Sequence, residues 1–337
     1  MLNFQFGTEK VQVPAGNLWA APGKSDHYRD TAAEQLWSII AEIQNDRPWR
    51  DVVAERYAKS NPWLHRIITS PARDLFLRQH PPAAGSQVLD VGAGWGQIAL
   101  PLARQGNSTI TALEPTPERL AFIRAAAAQE QSLDQLHFIQ ADFQDINFEP
   151  VFDLVCCVGV LEWVPKFQPG ESRSVQLAFL RGLRSTLRSG GKCYLGIENR
   201  LGLKYLLGAR DDHTGLRNVS VFDAALAKTK HEGATTQELR AFTYSHAEYM
   251  SLFQEAGFTQ IQTYGAFPDY KLSELILPCA SAEEFNRCLL GNPIPSEHDG
   301  VSGETLDRPE EYVSHYRSLA AMGIAQFFCP SYYFILQ

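Results

Sequence analysis

Short apolar runs alternate with stretches of helical composition between residues 87 and 198. The runs at 87–91, 109–113, 136–140, 154–158 and 193–197 have the short length and aliphatic character of buried strands. Residues 96–105 and 117–128 are rich in helix formers, and Thr116 followed by Pro117 is typical of a helix N-terminus. Strands that alternate with helices predict βαβ units, and therefore an α/β fold with a doubly wound, mostly parallel sheet.

The chain has a different texture on either side of this region. Residues 1–84 mix short helical patterns with Pro and Trp and show no clear strand alternation, so we expect an N-terminal helical extension or lid. Residues 85–337 then form one domain, in which the stretch from about 200 to 240 becomes rich in Gly, His and charge. Such a stretch after the fifth strand predicts an insertion that covers the site.

Regular patterns return towards the C-terminus. Ser245 and Glu248 have the spacing of a capping box that opens a helix ending at Gly257, and residues 258–264 have the pattern of a late strand. The apolar segment 327–336 is expected to dock as a closing edge strand.

The charge balance limits the class of ligand. A net charge of -8 and a pI near 5.6 supply no basic stripe for phosphate backbones, so a nucleic-acid binder is not expected. A small or neutral substrate fits this charge balance better. A homodimer is compatible with the sequence.

The six cysteines do not have the spacing of a metal site or of a disulfide framework. We expect reduced, buried thiols and no metal. The N-terminus has no basic segment followed by an apolar run, and no stretch approaches the length of a membrane span. The sequence therefore predicts a cytoplasmic protein.

Three glycines follow the first strand of the βαβ region, directly before a predicted helix. A turn built from Gly92, Gly94 and Gly96 lets the backbone approach a ligand closely, with helix N-H groups facing it. In the dinucleotide fingerprint the third glycine would fall at Gln97, which weakens an NAD interpretation without excluding it. Asp90 could accept hydrogen bonds from a cationic amino-acid group, whereas it would repel a pyrophosphate.

Two more acids follow the next two strands. Glu114 can accept hydrogen bonds from both hydroxyls of a ribose, whether the ribose belongs to NAD or to another nucleoside cofactor. Asp142 offers an acceptor for an exocyclic amine, beside the aromatic face of Phe143. Each acid alone could be a helix cap, but three acids at the carboxyl ends of three consecutive strands favour a ligand site.

These features resemble the class I methyltransferases over roughly residues 87–200, on Val88-Leu89-Asp90-Val91-Gly92-Ala93-Gly94-Trp95-Gly96, Glu114, Asp142 and Phe152-Asp153-Leu154-Val155. The resemblance implies a seven-stranded Rossmann-like sheet and an S-adenosylmethionine site, with S-adenosylhomocysteine as product. In that site the glycine turn and Asp90 hold the methionine portion, Glu114 the ribose and Asp142 the adenine. The implied cofactor residues are Asp90, Gly92, Ala93, Gly94, Gly96, Glu114, Pro115, Asp142, Phe143 and Gly159.

A finer resemblance concerns the acceptor. The segments 196–205 and 211–215, with 267–272 and 329–331, are similar to a bacterial subgroup associated with surface-polysaccharide and glycosyltransferase gene sets. This implies O-methylation of a sugar or polysaccharide precursor. A natural-product or amine methyltransferase, an NAD-dependent reductase and a non-catalytic cofactor-binding subunit are the alternatives.

A hydroxyl acceptor needs a base. His213 lies in the insertion directly after Asp211 and Asp212, and Glu162 follows the fourth strand, so they are the two catalytic candidates. A solvated loop histidine and a helix-start carboxylate are their simpler interpretations. The expected acceptor-binding residues are Trp163, Asn199, Arg200, Tyr205 and Asp212. Arg200 could equally pair with a structural carboxylate.

Overall fold

The computed structural model describes residues 1–22, 27–295 and 309–337. The chain divides into two compact units: unit 1 is residues 1–158 with 182–193, and unit 2 is residues 159–181 with 194–337. No helix of the described ranges is both long and apolar enough to cross a membrane.

The strands, in chain order, are β1 (Leu2–Phe6), β2 (Glu9–Val13), β3 (Leu18–Ala20), β4 (Gln87–Val91), β5 (Thr109–Leu113), β6 (Leu136–Gln140), β7 (Ile146–Asn147), β8 (Phe152–Val158), β9 (Leu187–Glu198), β10 (Ile261–Phe267), β11 (Leu275–Pro278) and β12 (Ser331–Leu336). The helices are α1 (Ala33–Gln44), α2 (Trp49–Tyr57), α3 (Pro62–Thr69), α4 (Leu75–Gln79), α5 (Ala99–Gln105), α6 (Pro117–Gln129), α7 (Val164–Phe167), α8 (Ser172–Thr186), α9 (Leu203–Leu206), α10 (Ala224–Thr235), α11 (His246–Glu255), α12 (Ala282–Gly291) and α13 (Pro309–Ala321).

Unit 1 is built on a parallel sheet. Its strands lie in the order β3-β6-β5-β4-β8, with the first part of β9 next to β8, and every pairing from β3 to β8 is parallel. These strands are apolar runs because both faces of the sheet are buried. After β4 the chain adds β5 and β6 on one side of β4, and it then returns to place β8 on the other side. This reversal beside β4 is where open α/β sheets bind ligands.

We expected a helical N-terminal segment from the sequence, but this segment also contains strands. β1 pairs with β2 and with β7 in a small antiparallel sheet, and β3 pairs with β6. Leu2 and Phe4 on β1, with Val11 and Val13 on β2, are buried and alternate with exposed residues. Strands of five residues with this period-two pattern are too short to stand out against the helical texture of residues 33–79.

Unit 2 contains the second part of β9 and the strands β12, β10 and β11, in that order. β12 pairs antiparallel with β10 in a register that joins Leu336 to Ile261. The expectation of a closing edge strand is therefore wrong, because β12 lies between β9 and β10. All six of its residues are buried, as a central strand requires.

The five strands of the predicted βαβ region are all present, and three of them have the predicted bounds. Ser245 and Glu248 form the predicted capping box at the start of α11. Nine strands of the described residues follow one another in the order β11-β10-β12-β9-β8-β4-β5-β6-β3, whereas seven were predicted. The added strands include β3 and β11, which are short and carry little pattern of their own.

Candidate active site

The glycine turn follows β4 in unit 1. Gly92, Gly94 and Gly96 have φ values of +69°, +54° and +79°, which residues with a Cβ rarely adopt. The N-H groups of Gly92 and Ala93 donate to the carbonyl of Leu113 at 2.8 and 3.0 Å. A Cβ on Gly96 would lie only 3.0 Å from Ile123 and Leu100 side-chain atoms. The turn therefore needs glycine for its conformation and, at Gly96, for its packing.

Glu114 joins this turn to the start of α6. Its Oε2 accepts a hydrogen bond from the Gly94 N-H at 2.9 Å, and its Oε1 accepts from the Thr116 N-H at 3.1 Å and hydroxyl at 2.6 Å. The carboxylate predicted to bind ribose thus also fixes the glycine turn. Pro115 lies between these partners and is half-buried.

Asp90 is the single acidic residue of β4, and its side chain is buried. Its Oδ2 has no hydrogen-bond partner within the described part of the chain. Burial raises the pKa of Asp90 to about 7, and the neighbouring Glu114 charge adds to the shift. A buried carboxyl of this kind can accept a cationic ligand group, which would displace its proton.

Asp142 follows β6, and its Oδ1 accepts a hydrogen bond from the Gln144 N-H at 3.1 Å, so it is also a helix cap. Its Oδ2 lies 3.7 Å from His27 Nε2. The aromatic side chain of Phe143 is buried. The carboxyl ends of β4, β5 and β6 thus bring the predicted cofactor residues of unit 1 to one edge of the sheet.

The sequence prediction missed a segment near this edge. Asp30 accepts a hydrogen bond from the Trp95 indole at 3.0 Å and lies 3.1 Å from Arg119. Arg29 donates to Glu118 at 2.6 Å. The residues around Asp30 are therefore tied to the glycine turn and α6, which no local pattern indicated.

Unit 2 holds a second group of acids, gathered around His213. The Nε2 atom of His213 lies 3.6 Å from Glu198 Oε2 and 3.9 Å from Glu162 Oε1, and its Nδ1 lies 3.9 Å from Asp211 Oδ2. These side chains are buried, with 7% exposure or less. We call Glu162, Glu198 and His213 the acid–histidine cluster. The structure thus unites both catalytic candidates, and it rules out the simpler interpretation of a solvated histidine.

Backbone turns position the cluster. Gly159, with φ of +72°, donates its N-H to the Gly196 carbonyl at 2.9 Å and precedes Glu162 by three residues. A Cβ on Gly159 would lie 2.7 Å from the Tyr270 hydroxyl, which explains the glycine. Asp211 Oδ1 accepts hydrogen bonds from the N-H groups of His213 and Thr214, at 3.1 and 2.7 Å. These contacts fix the loop that carries the imidazole.

Two lysines neutralise the neighbouring acids. Lys271 donates a hydrogen bond to Glu198 Oε1 and lies 3.9 Å from both Asp212 and Asp269. Lys204 Nζ lies 3.0 Å from Asp212 Oδ2 and from Asp269 Oδ2. Neither lysine pairs with Glu162, both of whose oxygens lack a hydrogen-bond partner among the described residues.

The pKa shifts follow from this charge distribution. Burial disfavours the imidazolium, but Glu198, Asp211 and Glu162 outweigh it and hold the pKa of His213 well above its usual value. Burial opposes ionisation of Asp211 too, yet His213 and the hydrogen bonds from Ser220 and Thr214 lower its pKa to about 2. For Glu198, burial raises the pKa despite Lys271 and His213. The acids around His213 therefore favour its protonated form.

Two predicted acceptor residues have structural partners instead. The Asn199 amide donates to the carbonyls of Phe327 and Cys329, each at 2.9 Å, and is fully buried. Arg200 forms a bidentate pair with Glu248 at 2.7 and 3.2 Å. The prediction that Asn199 and Arg200 orient an acceptor is corrected, because these contacts already use their polar groups.

The remaining predicted acceptor residues lie closer to the cluster. Trp163 packs edge-to-face on His213, with ring centroids 4.9 Å apart. Tyr205 is buried and donates its hydroxyl to Asp212, so it is not an exposed stacking wall. Asp212 belongs to the lysine-paired acids. Of these residues, Trp163 contacts a catalytic candidate directly.

Sequence reasoning missed Glu198, Lys204, Asp269 and Lys271 as parts of a site. Glu198 ends β9, so its place after an apolar run was a usable signal of the same kind as Glu114. Lys271 and Asp269 follow β10, far along the chain from Glu198. Only the folded chain brings them to His213.

Comparison with known proteins adds an independent result. Residues 88–191 match the family described as methyltransferase domain. The similarity to this family extends over about a third of the chain. The matched segment contains the glycine turn and both Glu114 and Asp142.

Curated relatives match over part of the chain. The ubiquinone biosynthesis O-methyltransferase of Xanthomonas axonopodis pv. citri is 30% identical over 146 residues, which are 43% of this chain and 55% of that protein. The protein of the same name from Rickettsia conorii is 27% identical over 122 residues, 36% of this chain and 38% of the relative. The chain thus spans about half or less of these relatives.

Solved structures also match. Phosphoethanolamine N-methyltransferase 2 of Haemonchus contortus, in complex with S-adenosyl-L-methionine, is 14% identical with a TM-score of 0.44, covering 79% of this chain and 51% of that one.

Proposed function

We propose that the chain transfers the methyl group of S-adenosylmethionine to a hydroxyl of a sugar or polysaccharide precursor. In this in-line displacement a bond forms between the acceptor oxygen and the methyl carbon while the carbon–sulfur bond breaks. S-adenosylhomocysteine leaves, and the hydroxyl proton passes to a base on the protein.

The cofactor roles rest on unit 1. Asp90 receives the cationic amino group of the methionine portion, since its buried Oδ2 lacks a partner among the described residues. The glycine turn, which carries no side chain at three positions, lets its backbone approach the same portion. Glu114 and Asp142 take the ribose and the adenine amine.

The observation that carries the proposal is the buried Glu162 carboxyl group, whose Oε1 lies 3.9 Å from His213 Nε2. Both Glu162 oxygens are buried without a hydrogen-bond partner in the described chain, so the group can accept a proton. The raised pKa of His213 makes it the proton-bearing neighbour rather than the base. Glu162 also follows β8 closely along the chain, and β8 runs parallel to β4 beside it.

A hydroxyl acceptor is supported because an amine needs no comparable base. The curated relatives carry the name ubiquinone biosynthesis O-methyltransferase, which agrees with oxygen as the acceptor atom. A sugar is supported by the resemblance of residues 196–205 and 211–215 to the polysaccharide-associated subgroup. A ring hydroxyl of the ubiquinone pathway is the competing acceptor.

The test is a methyl-transfer assay on the purified chain. Methyl-labelled S-adenosylmethionine is incubated with nucleotide sugars, glycan fractions, ubiquinone-type phenols and amines, and the labelled product is identified. Label in a sugar hydroxyl supports the proposal. Label confined to phenols, amines, protein or RNA contradicts the sugar acceptor, and the absence of S-adenosylmethionine binding by calorimetry contradicts the activity as a whole.

Two variants separate binding from chemistry. Gly94→Asp is expected to abolish S-adenosylmethionine binding, because it puts a carboxylate into a turn with positive φ. Glu162→Gln is expected to keep cofactor binding and lose about 10²–10⁴-fold in kcat. Glu283→Gln, an exposed acid on α12, serves as the matched control. Equal kcat values for Glu162→Gln and the control would remove Glu162 as the base.

A further inference from the structure

The acid–histidine cluster has the spacing of a metal site. One ligand atom from each of Glu162, Glu198 and His213 lies within 4.8 Å of the others. His213 Nε2 is 3.6 Å from Glu198 Oε2 and 3.9 Å from Glu162 Oε1. An ion bound about 2.1 Å from each ligand separates neighbouring ligand atoms by roughly 3–4 Å. Small side-chain rotations would therefore let these atoms share one ion.

The cluster also has buried oxygens that nothing in the described chain satisfies. Both carboxylate oxygens of Glu162 and Oε2 of Glu198 have no hydrogen-bond partner there. Burying a carboxylate without a partner is unfavourable by several kcal/mol. Two of these oxygens, Glu162 Oε1 and Glu198 Oε2, face His213 Nε2.

The local charge balance is negative. Five buried carboxylates lie around two ammonium groups and one imidazole: Glu162, Glu198, Asp211, Asp212 and Asp269 around Lys204, Lys271 and His213. Lys204 pairs with Asp212 and Asp269, and Lys271 with Glu198 Oε1, so Glu162 is served by neither. An ion with two positive charges would correct this imbalance where it is largest.

Neighbouring polar residues orient the candidate ligands, as they do around the ligands of known metal sites. The Nδ1 atom of His213 faces Asp211 Oδ2 at 3.9 Å, so Nε2 is the ring nitrogen that faces the two glutamates. Ser220 and the N-H groups of His213 and Thr214 hold Asp211 in place. Lys271 occupies one oxygen of Glu198 and leaves the other for the ion.

We propose that Glu162, Glu198 and His213 bind one divalent transition-metal cation. Two carboxylates and an imidazole suit Mn²⁺, Fe²⁺ or Zn²⁺, whereas Mg²⁺ and Ca²⁺ prefer sites made only of oxygen. Three protein ligands leave positions for water or an acceptor oxygen. Metal binding at this site does not depend on methyl transfer. A bound cation would also lower the pKa of an acceptor hydroxyl, and this role of the metal rests on the proposed function. Glu162, whose two oxygens both lack a hydrogen-bond partner among the described residues, would bind the ion through one oxygen and keep the other for the acceptor proton.

The test uses the full chain after EDTA treatment and dialysis, titrated with Mn²⁺ alone. Calorimetry is expected to show one ion per chain. Glu162→Gln and Glu198→Gln are each expected to lower Mn²⁺ affinity at least about tenfold, since even outer contacts of metal sites contribute 10–100-fold. Glu283→Gln is the matched control, with unchanged affinity expected. Zn²⁺ and Mg²⁺ are titrated in parallel, and Mg²⁺ is expected to bind more weakly.

Pulsed electron paramagnetic resonance gives a second readout that does not depend on the acid variants folding. Bound Mn²⁺ is expected to show coupling to an imidazole nitrogen, which disappears in His213→Gln. No saturable binding of Mn²⁺ or Zn²⁺ at millimolar concentration overturns the proposal, as does a bound Mn²⁺ without nitrogen coupling. Unchanged affinity in both acid variants also overturns it. S-adenosylmethionine binding, measured on the same samples, reports separately on the proposed function.

Discussion

Glu198 divides its two carboxylate oxygens between a lysine and a histidine. Oε1 accepts a hydrogen bond from Lys271, and Oε2 lies 3.6 Å from His213 Nε2. Lys271 lies after β10, whereas Glu198 ends β9. The Lys271 ammonium group both neutralises the Glu198 carboxylate and sets its orientation. The geometry of the acid–histidine cluster therefore depends on a cation that lies 73 residues away from Glu198 along the chain.

Lys271→Met is expected to destabilise the protein by about 3–5 kcal/mol, because it leaves the buried Glu198 without its ammonium partner. Lys204 still serves Asp212 and Asp269 in this variant. Urea unfolding measures the change. Lys228→Met is the control, since Lys228 forms only exposed pairs, and about 0.5 kcal/mol or less is expected. Similar losses in the two variants would contradict the structural role of Lys271.

Gly96→Ala and Gly106→Ala separate the need for positive φ from the need for space. Both glycines have positive φ, so each alanine is expected to destabilise by about 1–2 kcal/mol. Only at Gly96 would the new Cβ meet neighbours at 3.0 Å; at Gly106 the space is open. Gly96→Ala is therefore expected to lose a further 1–3 kcal/mol, roughly, and to weaken S-adenosylmethionine binding. Calorimetric affinities that match for the two variants would argue against a tightly packed turn.

Asp90 is expected to make the cofactor-free protein less stable as pH rises. Its folded pKa of about 7 lies above the ordinary value of 3.8, so between these values the folded state binds more protons than the unfolded state. The free energy of unfolding then falls by up to about 1.4 kcal/mol per pH unit in this window. Asp90→Asn is expected to flatten the profile between pH 5 and 7.

Chemical unfolding across that range measures the effect, with the exposed Asp134→Asn as control. Asp90→Asn is also expected to weaken S-adenosylmethionine binding, because the amide cannot balance a cationic amino group. A profile as steep as that of the unsubstituted protein would show that Asp90 is ionised when folded.

Asn199→Ala is expected to act on stability rather than on the acceptor. The substitution leaves the carbonyls of Phe327 and Cys329 without the Asn199 donor, at a cost of roughly 2–4 kcal/mol. In the folded fraction the acceptor KM should stay unchanged. Asn292→Ala, at the exposed end of α12, is the control and should have little effect. A large rise in KM without loss of stability would restore Asn199 as an acceptor residue.

The cofactor side of the molecule was largely predictable from sequence. β4, β5 and β6 have the predicted bounds because strands buried on both faces must be continuous apolar runs. Gly92, Gly94 and Gly96 were recognisable because positive φ at alternate positions of the turn demands glycine. β1 and β2 also alternate in period two, but at five residues each they gave too short a signal.

The acceptor side was not predictable in the same way. Arg200 and Asn199 have the polar character of binding residues, yet a glutamate on α11 and the carbonyls before β12 use their hydrogen-bonding groups. Sequence distance hides such partners, since hydrogen bonds form wherever the fold brings donor and acceptor together.

The sequence by itself determined the parallel sheet of unit 1, the glycine turn after β4 and the acids that follow its strands, because local backbone and burial requirements dictate those residues. Only the tertiary structure decided that Glu162, Glu198 and His213 meet, that Lys271 orients Glu198, and that two acid oxygens face one imidazole nitrogen. Charge interactions act through space and leave no periodic pattern along the chain, so the fold had to reveal them.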